Sequence, residues 1–265
     1  MMDARAAMRA AEIIADNRLA QNRLEFLPAE IRPQDLDDAY TIQERLNEIL
    51  VERGLGQPIG YKIGCTTPVM QEYMNIHEPS FGEVFAPTVH RNTATLRHAD
   101  YSEPGVEAEI AALLGADLPA AQAPYDRDSV AAAVEACMAS VELVDARYFD
   151  YRELDTPTMV ADDFFNAACI LADPVTDWRS LDLAGVQGRM DVNGVEFGSG
   201  AGSLIMGHPL EALAWLANRL AERGRELKSG EFVTLGSVVP TKWVSQGDLI
   251  EVEMEGLGGV TVKFE

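Results

Sequence analysis

The stretch Val106-Glu-Ala-Glu-Ile-Ala-Ala-Leu-Leu114 decides how this chain is read. Eight residues from Glu107 onward fit a strand. Glu107 and Glu109 are one residue apart, so on a strand both side chains leave the same face. Val106, Ala108, Ile110 and Ala111 around them are apolar, which places part of the strand in a core. Two carboxylates side by side in a protected place repel each other unless a cation or protons compensate.

Downstream, Ser140–Arg147 (SVELVDAR) reads as a second apolar strand that carries Glu142. Asp145 follows on the opposite face or beyond a bend. Glu107, Glu109 and Glu142, with no His or Cys nearby, make a hard oxygen donor set. That set suits Mg²⁺ or Mn²⁺, with water or substrate completing the shell. The same residues also fit a plainer account, in which the acids form the solvated face of an amphipathic strand.

Around this centre the chain alternates short β-like runs with glycine-rich turns. Glu231–Leu235, Leu249–Met254 and Val260–Phe264 read as strands. A short Ala-rich helix is expected near Val130–Cys137. A longer one starts at Pro209, lines one face with Leu210, Leu213, Leu216 and Leu220, and stops at Gly224. Towards the N-terminus the texture is helical. Residues 3–22 form one expected helix, and Asp35 caps another that runs to about Arg53. The fold class is therefore α+β, with residues 1–60 as a helical N-terminal layer and 61–265 as a β-rich catalytic domain.

Composition narrows the function. Over 265 residues the formal net charge is -22, and such an acidic surface repels phosphate backbones and anionic lipid. Nucleic-acid and membrane partners are set aside. An anionic substrate would meet the same repulsion, so something local must reverse the potential, and a bound cation is the obvious candidate. Three cysteines without a CxxC pair support neither a disulfide framework nor a thiolate zinc site. The N-terminus lacks the long apolar run of a signal peptide or membrane span, so a cytoplasmic location is expected. No redox cofactor is signalled.

Two further motifs bear on chemistry. In Gly60-Tyr-Lys-Ile-Gly64, Lys62 sits between apolar residues bracketed by glycines. It could bind a substrate carboxylate or move a proton, or simply reach solvent from a strand edge. Gly198-Ser-Gly-Ala-Gly202 could offer backbone N–H groups to an anion, or be a tight connection before the Pro209 helix.

Taken together and in order, these stretches resemble the hydratase/decarboxylase branch of the fumarylacetoacetate hydrolase superfamily. The resemblance is carried by IRPQDLDDAYTIQERL from Ile31, GYKIGCTTPVMQ from Gly60 and VEAEIAALLGADL from Val106. It continues through VELVDARYFDYR from Val141, VADD from Val160, NGVEFGSGAGSLIMGHPLEALAWLANRLAERG from Asn193 and GSVVPTKWVSQGD from Gly236, and so spans nearly the whole chain. It implies a mixed β-roll or barrel core, and a divalent metal on Glu107, Glu109 and Glu142. It also implies Lys62 beside the substrate, and a homo-oligomer.

The implied substrate is a small 2-oxo or 2-hydroxy acid. The implied reaction is hydration of a 2-hydroxy-2,4-dienoate (2-oxo-4-enoate) to a 4-hydroxy-2-oxo acid, through an enolate held by the metal. Decarboxylation of the 4-oxalocrotonate type or C–C hydrolysis on the same site is the alternative, and a non-catalytic binding homologue is a third reading. Two departures matter. Ser80, in Glu78-Pro-Ser-Phe-Gly82, stands where related hydratases carry a proton-transferring Asp and related decarboxylases an apolar residue. Phe164-Phe-Asn166 replaces small polar residues. His77 and Glu78 invite comparison with the His/Glu pair that activates water on a mobile lid in hydrolases of the superfamily, although a surface loop accounts for them too.

Overall fold

A computed structural model describes residues 2–265. Helix α1 (Ala4–Ala20) and helix α2 (Leu36–Glu52) open the chain and pack together. The Asp35 carboxylate accepts from the Asp38 N–H and caps α2, as the sequence led one to expect. The next helices are α3 (Pro68–Tyr73), α4 (Arg127–Ala133), α5 (Thr156–Ala161) and α6 (Pro209–Glu222).

The strands run in chain order as β1 (Pro58–Gly64), β2 (Ser80–Phe85), β3 (Val89–Arg91), β4 (Thr93–Leu96), β5 (Pro104–Leu114) and β6 (Val134–Asp145). They continue with β7 (Asn166–Leu171), β8 (Gln187–Val192), β9 (Val195–Ala201) and β10 (Phe232–Ser237). The last three are β11 (Lys242–Trp243), β12 (Leu249–Met254) and β13 (Gly258–Phe264). They build two mixed sheets. The larger has the order β2-β1-β10-β5-β6-β7-β3, with β11 attached to β5, and the smaller has β4-β13-β12-β8-β9.

The architecture is α+β, and the sheets do not close into a barrel: β2 and β3 end the larger sheet as separate edges. Strands β5 and β6 are its centre, and nearly every residue of both is buried. The smaller sheet lays β12 and β13 over β6. Burial on both faces explains why these strands read as near-continuous apolar runs, and why an acid within them is conspicuous. One boundary differs from expectation. Val134–Cys137 belongs to β6 rather than to the Ala-rich helix, because Val134–Leu143 pairs along β5 and tertiary pairing overrides the helix propensity of alanine.

Candidate functional site

Register brings the acids together. Glu107 on β5 lies directly opposite Glu142 on β6, and Glu109 faces Ser140 one pleat further along. One carboxylate oxygen from each of Glu107, Glu109 and Glu142 lies within 4.8 Å of the others. Glu109 and Glu142 are each 1% exposed, whereas Glu107 opens onto a cavity of about 340 Å³. Like charges directly across a sheet destabilise it unless something compensates. Burial, and then the Glu142 carboxylate, pushes Glu107 up from the usual range. The same causes, with Glu107 added, hold Glu109 well above it.

Each acid is held by a distinct device. Thr241 Oγ1 donates to Glu107 Oε1 at 2.5 Å. Asn166 Nδ2 donates to Glu142 Oε1 at 2.9 Å. Glu109 Oε2 accepts from the Gly236 N–H at 3.1 Å. That last bond depends on an irregularity in β10: its register against β5 shifts between Thr234 and Ser237, and Gly236 takes a φ of 124°. Glycine is required there, since a Cβ would stand 2.3 Å from Thr66 Oγ1.

Lys62 completes the cluster. It is 1% exposed and lies on β1, which is flanked by β2 and β10, so it does not reach solvent from a strand edge. Its Nζ stands 3.4 Å from Glu142 Oε1, donates to the Phe164 carbonyl at 3.2 Å, and lies 4.8 Å from the centre of the Phe164 ring. Ser80 is fully buried on β2, opposite Gly64. Its Oγ has no hydrogen-bond partner, and it lies behind the cavity wall rather than in it. A Cβ on Gly64 would sit 3.4 Å from Ser80 Oγ and 3.7 Å from Lys62 Nζ, so the absent side chain leaves hydroxyl and amine facing one gap.

The donor set fits a divalent cation. One amine against three carboxyl groups leaves two without a cation in a buried place, where only protons or a metal ion can compensate them. Glu109 Oε1 is buried without any hydrogen-bond partner, as a ligand atom awaiting an ion would be. Oxygen-only donors select a hard ion. A thiolate mechanism has no support: Cys65 lines the cavity, but burial pushes its thiol up to about 11.

Several supporting residues escaped the sequence reading. Asp163, Phe164 and Phe165 are three consecutive residues with φ of 49°, 48° and 68°. Left-handed backbone in non-glycine residues is held at about 1–3 kcal/mol each and needs external support. Arg147 provides it. Its Nε and Nη2 grip the Asp162 carboxylate at 3.0 and 2.9 Å, and its Nη1 donates to the carbonyls of Phe165 and Asn166. From the helical layer, Arg18 Nη1 reaches Asp163 Oδ2 at 2.8 Å and Asn47 Nδ2 reaches Asp163 Oδ1 at 3.2 Å. The turn so held aims the Phe164 carbonyl at Lys62 and Asn166 at Glu142. The available signal was Arg147 at the end of an apolar strand, where an unpaired charge would not be tolerated.

Other expected features lie elsewhere. Gly198–Gly202 is no anion loop: it runs through the end of β9, and Cβ atoms at Gly200 and Gly202 would meet the carbonyls of Val238 and Leu183 at 2.1 and 2.0 Å. Its glycines serve close backbone packing. His77 is exposed, and with Glu78 it lines a separate, open depression of about 1090 Å³ rather than the cavity of Lys62. Glu78 lies 3.6 Å from Arg219 in an ion pair.

Comparison with known proteins agrees with this geometry. Residues 71–265 match the model of the fumarylacetoacetate hydrolase C-terminal domain. The chain belongs to the fumarylacetoacetate hydrolase family. Among curated members, it is 37% identical to the 2-hydroxyhexa-2,4-dienoate hydratase of Comamonas testosteroni, over 86% of each chain. It is 32% identical to the 2-keto-4-pentenoate hydratase of Paraburkholderia xenovorans LB400, over 87% of this chain and 84% of that one. A solved family structure, 4-oxalocrotonate decarboxylase from Pseudomonas putida G7 complexed with magnesium and adipate, superposes with a TM-score of 0.93 at 27% identity. That match covers 100% of this chain and 99% of the other.

Proposed function

We propose that this protein is a divalent-metal-dependent hydratase that converts a 2-hydroxy-2,4-dienoate to a 4-hydroxy-2-oxo acid. The observation that carries this reading is the cluster of Glu107, Glu109 and Glu142 within 4.8 Å of one another, beside Lys62 and a cavity of about 340 Å³. The names of the hydratases at 37% and 32% identity support the substrate class.

Glu107, Glu109 and Glu142 would hold Mg²⁺ or Mn²⁺; when bound, the ion supplies Lewis-acid charge that offsets a chelating 2-oxo acid. Lys62 Nζ pairs with the substrate carboxylate or moves a proton, kept in place by Glu142 and the Phe164 carbonyl. Ketonisation takes the proton from the 2-hydroxyl and returns one to C5. Water then adds across C3–C4, with hydroxyl at C4 and hydrogen at C3. Ser80 supplies a hydroxyl but no carboxylate near Lys62, so the proton traffic falls to Lys62 and to water. The apolar wall residues Ile63, Val144, Met159 and Phe165 lower the polarity around the conjugated system.

One observation favours decarboxylation as the second reading: the absence of an acid at Ser80, joined to the decarboxylase likeness. Incubation of the metal-loaded protein with 2-hydroxydienoates and 2-oxo diacids, followed by ultraviolet absorbance and CO₂ release, separates the two. Loss of dienoate absorbance without CO₂ is expected. CO₂ from a diacid would select the decarboxylase, and no turnover of any acid would sink both readings.

The chain is also read as a cytoplasmic homo-oligomer acting on a small acid, with neither nucleic-acid nor membrane partners. Its three cysteines are free and buried, which suits a reducing compartment. No helix among the described residues is long and apolar enough to cross a membrane. Val195 and Phe197 leave apolar surface on β9, 70% and 43% exposed, for a second copy to cover. Sedimentation showing only monomer at micromolar concentration would count against assembly.

A further inference from the structure

The amine of Lys62 is covered all round. Glu142 Oε1 stands 3.4 Å from Nζ, and the Phe164 carbonyl 3.2 Å. Behind the amine, the gap over Gly64 ends on the Ser80 hydroxyl, which is fully buried and outside the cavity wall. The remaining side belongs to the Phe164 ring. Its centre is 4.8 Å from Nζ, and its Cδ1 is 3.8 Å from where a Gly64 Cβ would stand. Lys62 and Phe164 both border the cavity, yet Lys62 is 1% exposed and Phe164 is half-buried. What the cavity meets at this point is the ring and not the ammonium.

The proposed reaction needs that ammonium to touch the acid, so some group has to move. The backbone of the turn is poorly suited to it. Arg147 holds Asp162 and the carbonyls of Phe165 and Asn166, while Arg18 and Asn47 hold Asp163. The Phe164 side chain is apolar, so packing alone holds it, and it can exchange one staggered rotamer for another. Space is at hand: roughly 150 Å³ accommodates a benzene ring, and the cavity has about 340 Å³. The exchange favours an anion. A carboxylate replaces the ring–cation contact with a charge-assisted hydrogen bond, which a neutral molecule does not offer.

We infer that Phe164 is the gate to Lys62: its ring covers the amine in the substrate-free protein and turns aside, on a fixed backbone, when a carboxylate arrives. The inference rests on the reading that Lys62 meets the substrate. It makes Phe164 a positioning residue, which acts through access to Lys62.

Phe164→Gly removes the ring and keeps the carbonyl, and glycine accepts the φ of 48° without strain. Phe164→Asn, short and tolerant of left-handed backbone, serves if the glycine variant fails to fold. The first measurement is the rate of reductive methylation at Lys62, mapped by mass spectrometry. Lys228 and Lys263, with side chains 51% and 54% exposed, are references within the same chain. Wild-type Lys62 should react at least about tenfold more slowly than these, and Phe164→Gly should remove most of the difference. A crystal structure of the wild type with Mg²⁺ and 2-oxobutanoate should show the ring turned and an acid oxygen about 3 Å from Nζ. KM for a reactive dienoate should fall by a factor of about three or more in Phe164→Gly, because the substrate no longer displaces the ring. A ring that stays over Nζ in the complex would overturn the gate while leaving the proposed function standing. So would a Lys62 that methylates as slowly in Phe164→Gly as in the wild type, or a loss of turnover at unchanged KM. If no acid binds or reacts, the proposed function fails, and the methylation rates still decide whether Phe164 covers the lysine.

Discussion

Lys62 is the residue on which the proposed chemistry and stability meet. Its amine is buried and offsets Glu142, so removing it leaves a buried carboxylate without its cation. The variant Lys62→Met keeps the stem's volume and deletes only the charge. Turnover on a reactive dienoate should fall by a factor on the order of 10² or more if Lys62 moves a proton. A rise in KM with unchanged turnover would mean that it only binds the carboxylate. A folded Lys62→Met enzyme with wild-type kinetics would remove Lys62 from the mechanism. Glu109 poses the opposite trade. Burial and two neighbouring acids oppose its ionisation, so placing this carboxyl in the metal-free fold costs stability at neutral pH. Glu109→Gln should therefore raise the melting temperature of the metal-free protein and abolish most of its response to Mg²⁺. A metal-free Glu109→Gln that melts below wild type would show that the carboxylate is there for structure.

Among the elements, the left-handed turn Asp163–Phe165 is the most exposed to failure, because its backbone is strained and its support is ionic. Arg147→Met takes from Asp162, which is 0% exposed, its two-pronged partner and leaves it only Arg18, 3.8 Å away. That should lower stability by about 3–5 kcal/mol, read as a drop in the urea midpoint. It should also slow turnover, since the Phe164 carbonyl and Asn166 lose their placement. A loss under roughly 1 kcal/mol would mean that the turn is held by other contacts. Helix α6 carries a pH-dependent device. His208 Nδ1 accepts from the Leu210 N–H at 3.1 Å, a role open only to the neutral ring. Burial first, then Arg127, holds the imidazole below its usual 6.5. The folded pKa is depressed, so the stabilisation is complete above the unfolded value and is lost as pH falls from 6.5 toward the folded one. His208→Asn keeps a cap without the titration and should flatten the stability profile below pH 6.5, measured by denaturation across pH.

For the whole molecule, a net charge of -22 and a cluster of buried acids mean that cations stabilise in two ways. Added salt screens general repulsion without selectivity. A specific ion acts by mass action, adding about 2.7 kcal/mol when present at a hundred times its Kd. Millimolar Mg²⁺ should thus raise the Tm by several degrees beyond an equal ionic strength of NaCl, and a chelator should reverse the rise. Equal effects of the two salts would argue against a specific site.

Much of this molecule is legible in its sequence. The helix of residues 36–52, its Asp35 cap, the helix that begins at Pro209, and strand Leu249–Met254 follow from periodicity and end signals, which are local. That Glu107 and Glu109 share a face follows from the two-residue repeat of a strand. What needed the tertiary structure is whatever depends on register and burial. Only the pairing of β5 with β6 sets Glu142 opposite Glu107. Only the flanking of β1 by β2 and β10 turns Lys62 from a surface amine into a buried one. The left-handed turn, with residues from α1, α2 and the segment just after β6 converging on it, was invisible because no local preference favours it. Its φ angles are imposed by Arg147, Arg18 and Asn47, which are distant in sequence and meet only in the folded chain.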